Sequence, residues 1–141
     1  MHEDAVRHGD GWALATLGDL GEGPGFRKVR RALDVTAFGV NAVVLPPRYE
    51  PHFHAHELQE ELYFVHAGRV AFEFGDGERL EAGPGTVVRV DPATSRRVAN
   101  AGDEDAVLVV VGGKDGYVGR DAHVTGAGAG QAPEPPATPD A

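Results

Sequence analysis

The chain has 141 residues and no cysteine, and its 22 acidic side chains outweigh 13 basic ones for a formal charge of -9. That length suits one domain with a core of its own, needing no disulfide staple. The missing thiols exclude cysteine nucleophiles, thiolate metal sites and iron–sulfur ligation, and the acidic balance argues against a phosphate-backbone binder.

The amino-terminal segment 1–26 mixes polar residues with Gly and Pro. It reads as an extension packed on the domain, with "WALATLGDL" as a short strand or turn and Trp12 as its hydrophobic anchor. "MHEDAVRHGDG" is too polar and acidic for a signal peptide. No apolar run approaches the roughly 18–20 residues of a membrane span. The expectation is a soluble, cytoplasmic protein with a small-molecule ligand and no nucleic-acid or membrane partner. The one basic run, "RKVRR" at 27–31, reads as a solvated strand or strand edge rather than a DNA stripe.

From residue 27 to 124 the pattern is one of short strands between turn signals. "RKVRRALDV" reads as a strand, followed by "AFGVNAVVLP", which Pro46 and Pro47 close because proline donates nothing to a ladder. "PHFHAH" is a short extended piece, and "EELYFVHAG" a strand rich in β-branched and aromatic residues. Gly68 permits a tight turn into "RVAFEF", and "GDGE" at 75–78 is a hairpin turn. "TVVRVDP", "RRVANAG" and "DAVLVVVGG" complete about eight strands, the last being the most apolar. With no convincing amphipathic helix, the class is all-β, a sandwich or barrel. Phe38, Tyr63, Phe64, Phe72 and Phe74 supply its aromatic packing. Residues 125–141 are mostly Gly, Ala and Pro and read as a disordered tail.

The chemistry concentrates in "PHFHAHELQEELYFVHAG" at 51–68. Strand residues i and i+2 share a face, so His54 and His56 can offer imidazole nitrogens to one ion. Glu57, Glu60 and Glu61 are candidate carboxylates. Glu61 is favoured because it shares a face with Tyr63 and Val65, good interior residues, whereas Glu60 and His66 face the other way. Two histidines and a carboxylate form the facial arrangement suited to Fe(II) that also takes Mn, Zn, Ni or Co. The competing reading is a polar strand end with solvated histidines. His52 is an alternative ligand or a pocket-rim or surface residue, Gln59 a loop cap, and Tyr63 either core or a hydroxyl donor to substrate.

This stretch resembles the first conserved motif of the cupins: His-x-His, four residues, Glu, six residues, Gly. His54, His56, Glu61 and Gly68 fall on it. Arg48 stands where the family has a glycine. "LEAGPGTVVRVDPATSRRVANAG" at 80–102 is similar to the second motif. Pro92 and Asn100 fit, Thr94 sits at the motif glycine, Gly83 or Gly85 stands near the opening turn, and Arg96 replaces the motif histidine. The resemblance covers roughly residues 34–113. It implies a single-domain, cupin-like jelly-roll β-barrel, frequent homodimers and, in many members, a metal held by three histidines and a glutamate. It implies no particular reaction.

Arginine offers five donors and no acceptor, so Arg96 cannot ligate a metal. Three outcomes follow. His54, His56 and Glu61 hold a divalent ion (Fe, Mn, Zn or Ni) while Arg96 binds an anionic ligand. Alternatively no metal binds and Arg96 pairs with Glu61. In the third, Arg96 points away and Arg97 matters instead. The first outcome makes Tyr63 and Arg96 catalytic candidates in a metal-dependent oxygenase, isomerase or lyase acting on a small, anionic metabolite. The second makes a non-catalytic metabolite-binding or sensor module.

Overall fold

The computed structural model describes residues 5–126. Two five-stranded antiparallel sheets face each other across one apolar core. The strands are β1 (Arg7–Gly9), β2 (Trp12–Leu14), β3 (Gly25–Arg27), β4 (Gly39–Leu45), β5 (His54–His56) and β6 (Glu60–Ala67) in the first half. They continue with β7 (Val70–Phe74), β8 (Arg79–Ala82), β9 (Val87–Val90), β10 (Arg96–Asn100), β11 (Ala106–Gly113) and β12 (Ala122–Val124). One sheet runs β12-β5-β10-β7-β8 and the other β3-β4-β11-β6-β9, while β1 and β2 form a separate hairpin. The class is all-β, as the strand pattern predicts.

Alternation along each strand decides what faces the core. In β6 the residues switch between exposed and buried, with Glu61, Tyr63 and Val65 buried and Glu60, Leu62, Phe64 and His66 exposed. Val65, Val70, Phe72 and Leu108 are at most 2% exposed and form the centre of the packing. Tyr63 meets Phe72 edge to face with ring centroids 5.6 Å apart. The aromatic expectation therefore divides: Tyr63 and Phe72 are interior and Phe74 packs against the core, but Phe38 and Phe64 lie on the surface.

Two cupin-motif positions are structural. Gly68 has φ 82°, and a Cβ there would come within 2.7 Å of the Ala106 Cα. The turn needs both the positive φ and the missing side chain. Asn100 is buried and donates from Nδ2 to the carbonyls of Leu45 and Glu104, while its Oδ1 accepts from Gly102 N–H. It thereby ties the turn before β11 to the end of β4. Arg48 has φ 61°, the left-handed region in which glycine is at home. Its guanidinium reaches Asp103 at the surface.

Three local expectations need correction. "RKVRRALDV" is not one strand. Arg27 ends β3, and Val29–Leu33 forms a single-turn helix, α1, closed by Asp34 in the left-handed conformation. Val29 and Leu33 stand four apart on its half-buried face, an i, i+4 relation that alternation conceals. The basic run is accordingly no solvated strand edge: Arg27 is buried, donating to the Gly23 and Gly25 carbonyls, and Arg30 stacks on Tyr117. Trp12 is 52% exposed and covers Gly9 of the facing strand rather than anchoring a core. The expected tail falls outside the described residues from 127 onward.

Candidate metal centre and ligand cavity

The two sheets deliver the motif side chains to one point. His54 and His56 come from β5 in one sheet, and Glu61 comes from β6 in the other. Glu61 Oε1 lies 3.1 Å from His56 Nε2 and 3.9 Å from His54 Nε2. The two imidazoles stand edge to face, 5.2 Å between centroids. These three residues form a group that could hold a metal ion, their ligand atoms all lying within 4.8 Å of one another.

Arg96 reaches the same carboxylate. It starts β10, paired in register with His54 of β5 on one side and Phe74 of β7 on the other, which aims it into the barrel. Its side chain is fully buried and every guanidinium nitrogen donates to a protein acceptor. Nη2 bonds Glu61 Oε1 at 2.8 Å, Nε bonds Tyr63 Oη at 3.2 Å, and Nη1 reaches the carbonyls of Asp91, Pro92 and Thr94. Tyr63 Oη in turn donates to Glu61 Oε1 at 2.7 Å. Arg97, its neighbour in β10, is paired with Glu73 and Glu50, stacks on Phe53 and contributes to the wall of the cavity beside the cluster.

A residue absent from the sequence-based site controls His56. Asp121 precedes β12, whose pairing with β5 sets it beside that histidine. Its Oδ1 accepts from His56 Nδ1 at 2.7 Å and from Gln59 Nε2 at 2.6 Å. Its Oδ2 accepts the backbone N–H groups of Leu58 and Gln59. Gln59 fits this position because Gly112 faces it: a Cβ on Gly112 would lie 2.3 Å from Gln59 Oε1. Asp121 is 65 residues from His56 in the chain, so no spacing signals it. The only hint is the alternating "DAHV" that makes β12.

The charges follow from these contacts. Burial alone would raise the Glu61 pKa, but the His54 and His56 imidazoles beside it and the charges of His56 and Arg96 hold it well below the usual carboxylate range. Burial likewise works against the Asp121 carboxylate and is outweighed by Gln59, the two backbone N–H groups and His56. Burial lowers the His54 pKa, whereas His56 is raised because Glu61 and Asp121 outweigh its burial. Burial, then the Glu61 charge, pushes the Tyr63 phenol up, which keeps it protonated.

Beside this cluster a cavity of about 110 Å³ opens between the sheets. His52, His54, Glu61 and Tyr63 line one part, and Val43, Leu45, Leu108 and Val110 give it an apolar wall. His52 is thus a rim residue of the cavity, and Arg96 is not among the lining residues.

The sequence model of the cupin domain matches residues 41–112, about half of the chain. The chain belongs to the cupin family. Among solved structures, this cupin is similar to a sugar phosphate isomerase of the cupin superfamily from Silicibacter pomeroyi, at 21% identity and TM-score 0.63 over 84% of this chain and 68% of that one. A putative sugar phosphate isomerase from Acidithiobacillus ferrooxidans shares 19% identity, with TM-score 0.64 over 79% and 80% of the two chains. A DMSP lyase from Ruegeria pomeroyi shares 22% identity at TM-score 0.55, over 63% of this cupin and 43% of the lyase. These likenesses establish the fold. No sequence relative among curated proteins matches the chain. Among the described residues, no helix is long and apolar enough to cross a membrane.

Proposed function

We propose that this cupin binds a small molecule in its cavity and holds a divalent metal ion there through His54, His56 and Glu61, acting as a metal-dependent isomerase, lyase or oxygenase. The observation that carries the metal is His56. Its Nδ1 proton goes to Asp121, so in the neutral form of the ring the buried Nε2 is bare. That nitrogen faces Glu61 Oε1 across 3.1 Å. In that form two acceptors face each other and repel unless a cation lies between them, either a metal ion or the second ring proton that the raised pKa of His56 favours when no metal is bound. A carboxylate behind a histidine is also how metal-ligating rings are oriented and made more basic. A bound ion would polarise a ligand oxygen or activate dioxygen, and the donor set suits Fe(II), Mn, Zn or Ni.

The chain's own groups have separate tasks in this reading. Arg96, whose guanidinium nitrogens are all engaged by protein acceptors, is a positioning residue that orients Glu61 and Tyr63. Tyr63 lines the cavity and keeps its single Oη proton, which it gives to Glu61; it is the catalytic candidate that would turn this proton from Glu61 to a ligand oxygen. The isomerase and the lyase among the structural neighbours support those reaction classes. Arg97, the arginine of the cavity wall, is already engaged by Glu73 and Glu50. An anionic ligand would therefore be met by the metal rather than by a free arginine.

The second reading is a metal-free binding or sensor module, favoured by the 2.8 Å ion pair between Glu61 and Arg96. Ring-nitrogen NMR of the histidines during Zn(II) addition separates the two. The metal reading expects His54 and His56 Nε2 to respond while His56 Nδ1 stays protonated. Unchanged ring nitrogens overturn it in favour of the metal-free pocket. We further assign a cytoplasmic homodimer, with Leu62, Phe64 and Val87 exposed side by side on β6 and β9 as the apolar face it would cover. A sedimentation mass of one chain contradicts the dimer.

A further inference from the structure

Asn41 is the polar group that the metal centre leaves unused. It lies in β4, 1% exposed, in the wall of the cavity. Neither its Oδ1 nor its Nδ2 has a hydrogen-bond partner among the described residues. Asn100, equally buried, spends both amide atoms on backbone groups. A buried amide without partners is costly, and a leucine or valine of similar size would fill the same place without that cost. An idle amide in an apolar cavity wall is the pattern of a recognition group: few polar atoms, placed to orient a ligand.

Its place in the sheet gives it an address relative to the metal centre. Asn41 pairs with Val110, and Val110 pairs with Tyr63. The three form one cross-strand row, and with strands about 4.8 Å apart the backbones of Asn41 and Tyr63 are about 10 Å from each other. Val110 lies between them, continuous with Leu108 and Val43 in the cavity wall. A ligand that touches both ends therefore has two polar termini and an apolar middle. A cavity of about 150 Å³ accepts benzene, so the 110 Å³ here fits a similarly small body.

The idle atoms also define the group they would read. A carboxylate gives Oδ1 no donor, and an ammonium gives Nδ2 no acceptor. A carboxamide or a hydroxyl satisfies both. We propose that Asn41 is the specificity-determining residue of this cavity, binding through both amide atoms an uncharged donor-and-acceptor group, a carboxamide or hydroxyl, on a small aliphatic ligand. This rests on the proposed ligand cavity but not on the metal.

The probes are isovaleramide and its isostere isobutyl methyl ketone, which keeps the carbonyl and lacks the donor. Each is titrated by protein NMR into the full chain, both loaded with Zn(II) and treated with chelator. In the wild type the amide should bind at least about tenfold more tightly than the ketone. In Asn41→Leu that preference should vanish, and the ligand-free variant should melt at a higher temperature. Asn41→Val repeats the comparison should the leucine be too large to fold. No preference in the wild type, no binding of either probe, or a preference that survives in the variants overturns the proposal. Preference retained in protein that takes up no Zn(II) counts against the metal centre alone and leaves Asn41 in its role.

Discussion

Asp121 is the side chain on which the geometry of the metal centre turns, because it sets the tautomer and orientation of His56. Asp121→Asn keeps the shape and removes the charge behind the ring. Metal affinity should fall about tenfold or more, as for other carboxylates behind ligating histidines, which a competitive chelator titration reads. The same residue makes stability depend on pH. Its native pKa is depressed, so its contribution is fully present above the ordinary aspartate value of about 3.9 and is lost as pH falls toward the native value. Glu61 acts in the same direction. Urea midpoints should drop between about pH 5 and pH 3 in the wild type, and the drop should be shallower in Asp121→Asn. Arg96 is a different case, since its buried charge is matched by Glu61 and three carbonyls. Arg96→Met strands the Glu61 carboxylate and should cost about 3–5 kcal/mol in urea unfolding, whereas Glu61→Leu/Arg96→Met removes both charges and should cost clearly less. Equal losses would mean that the ion pair is not what holds this part of the barrel.

At the scale of elements, the turns carry the constraint. Gly68 joins β6 to β7 with a positive φ and with the Asp105–Ala106 backbone against it. Gly68→Ala meets both obstacles and should destabilise by more than about 1 kcal/mol, visible as a lower melting temperature. Alternation made most strands legible from residues alone: the exposed-and-buried rhythm of β6 foretells that Glu61, Tyr63 and Val65 share an inward face. It could not foretell α1, too short for a helical period to stand out, nor β8 and β12, which lack an apolar run. The site was legible to the same degree. His54, His56 and Glu61 lie within eight residues of chain, so local periodicity places them. Arg96 stands four residues before Asn100 in the second motif and is legible from it, but its three carbonyl partners depend on the path of the β9–β10 loop. Asp121 and Asn41 arrive through β12 and β4, and only sheet pairing brings them in.

Across the whole molecule, the barrel builds one polar cluster into an otherwise apolar interior. Asp121 braces His56, Arg96 and Tyr63 brace Glu61, and the cavity runs from there along Val110 to Asn41. Such a cluster is costly without a bound charge to complete it and rigid once completed. The central claim is that a divalent ion completes it. The most direct measurement is metal per chain by plasma mass spectrometry. The protein is purified without chelator or nickel affinity resin and reconstituted separately with Fe(II), Mn, Zn and Ni. The account predicts near-stoichiometric uptake of at least one of these ions, lost in His54→Ala and in Glu61→Ala. No uptake of any of the four would contradict it and leave Glu61 paired with Arg96 in a metal-free pocket.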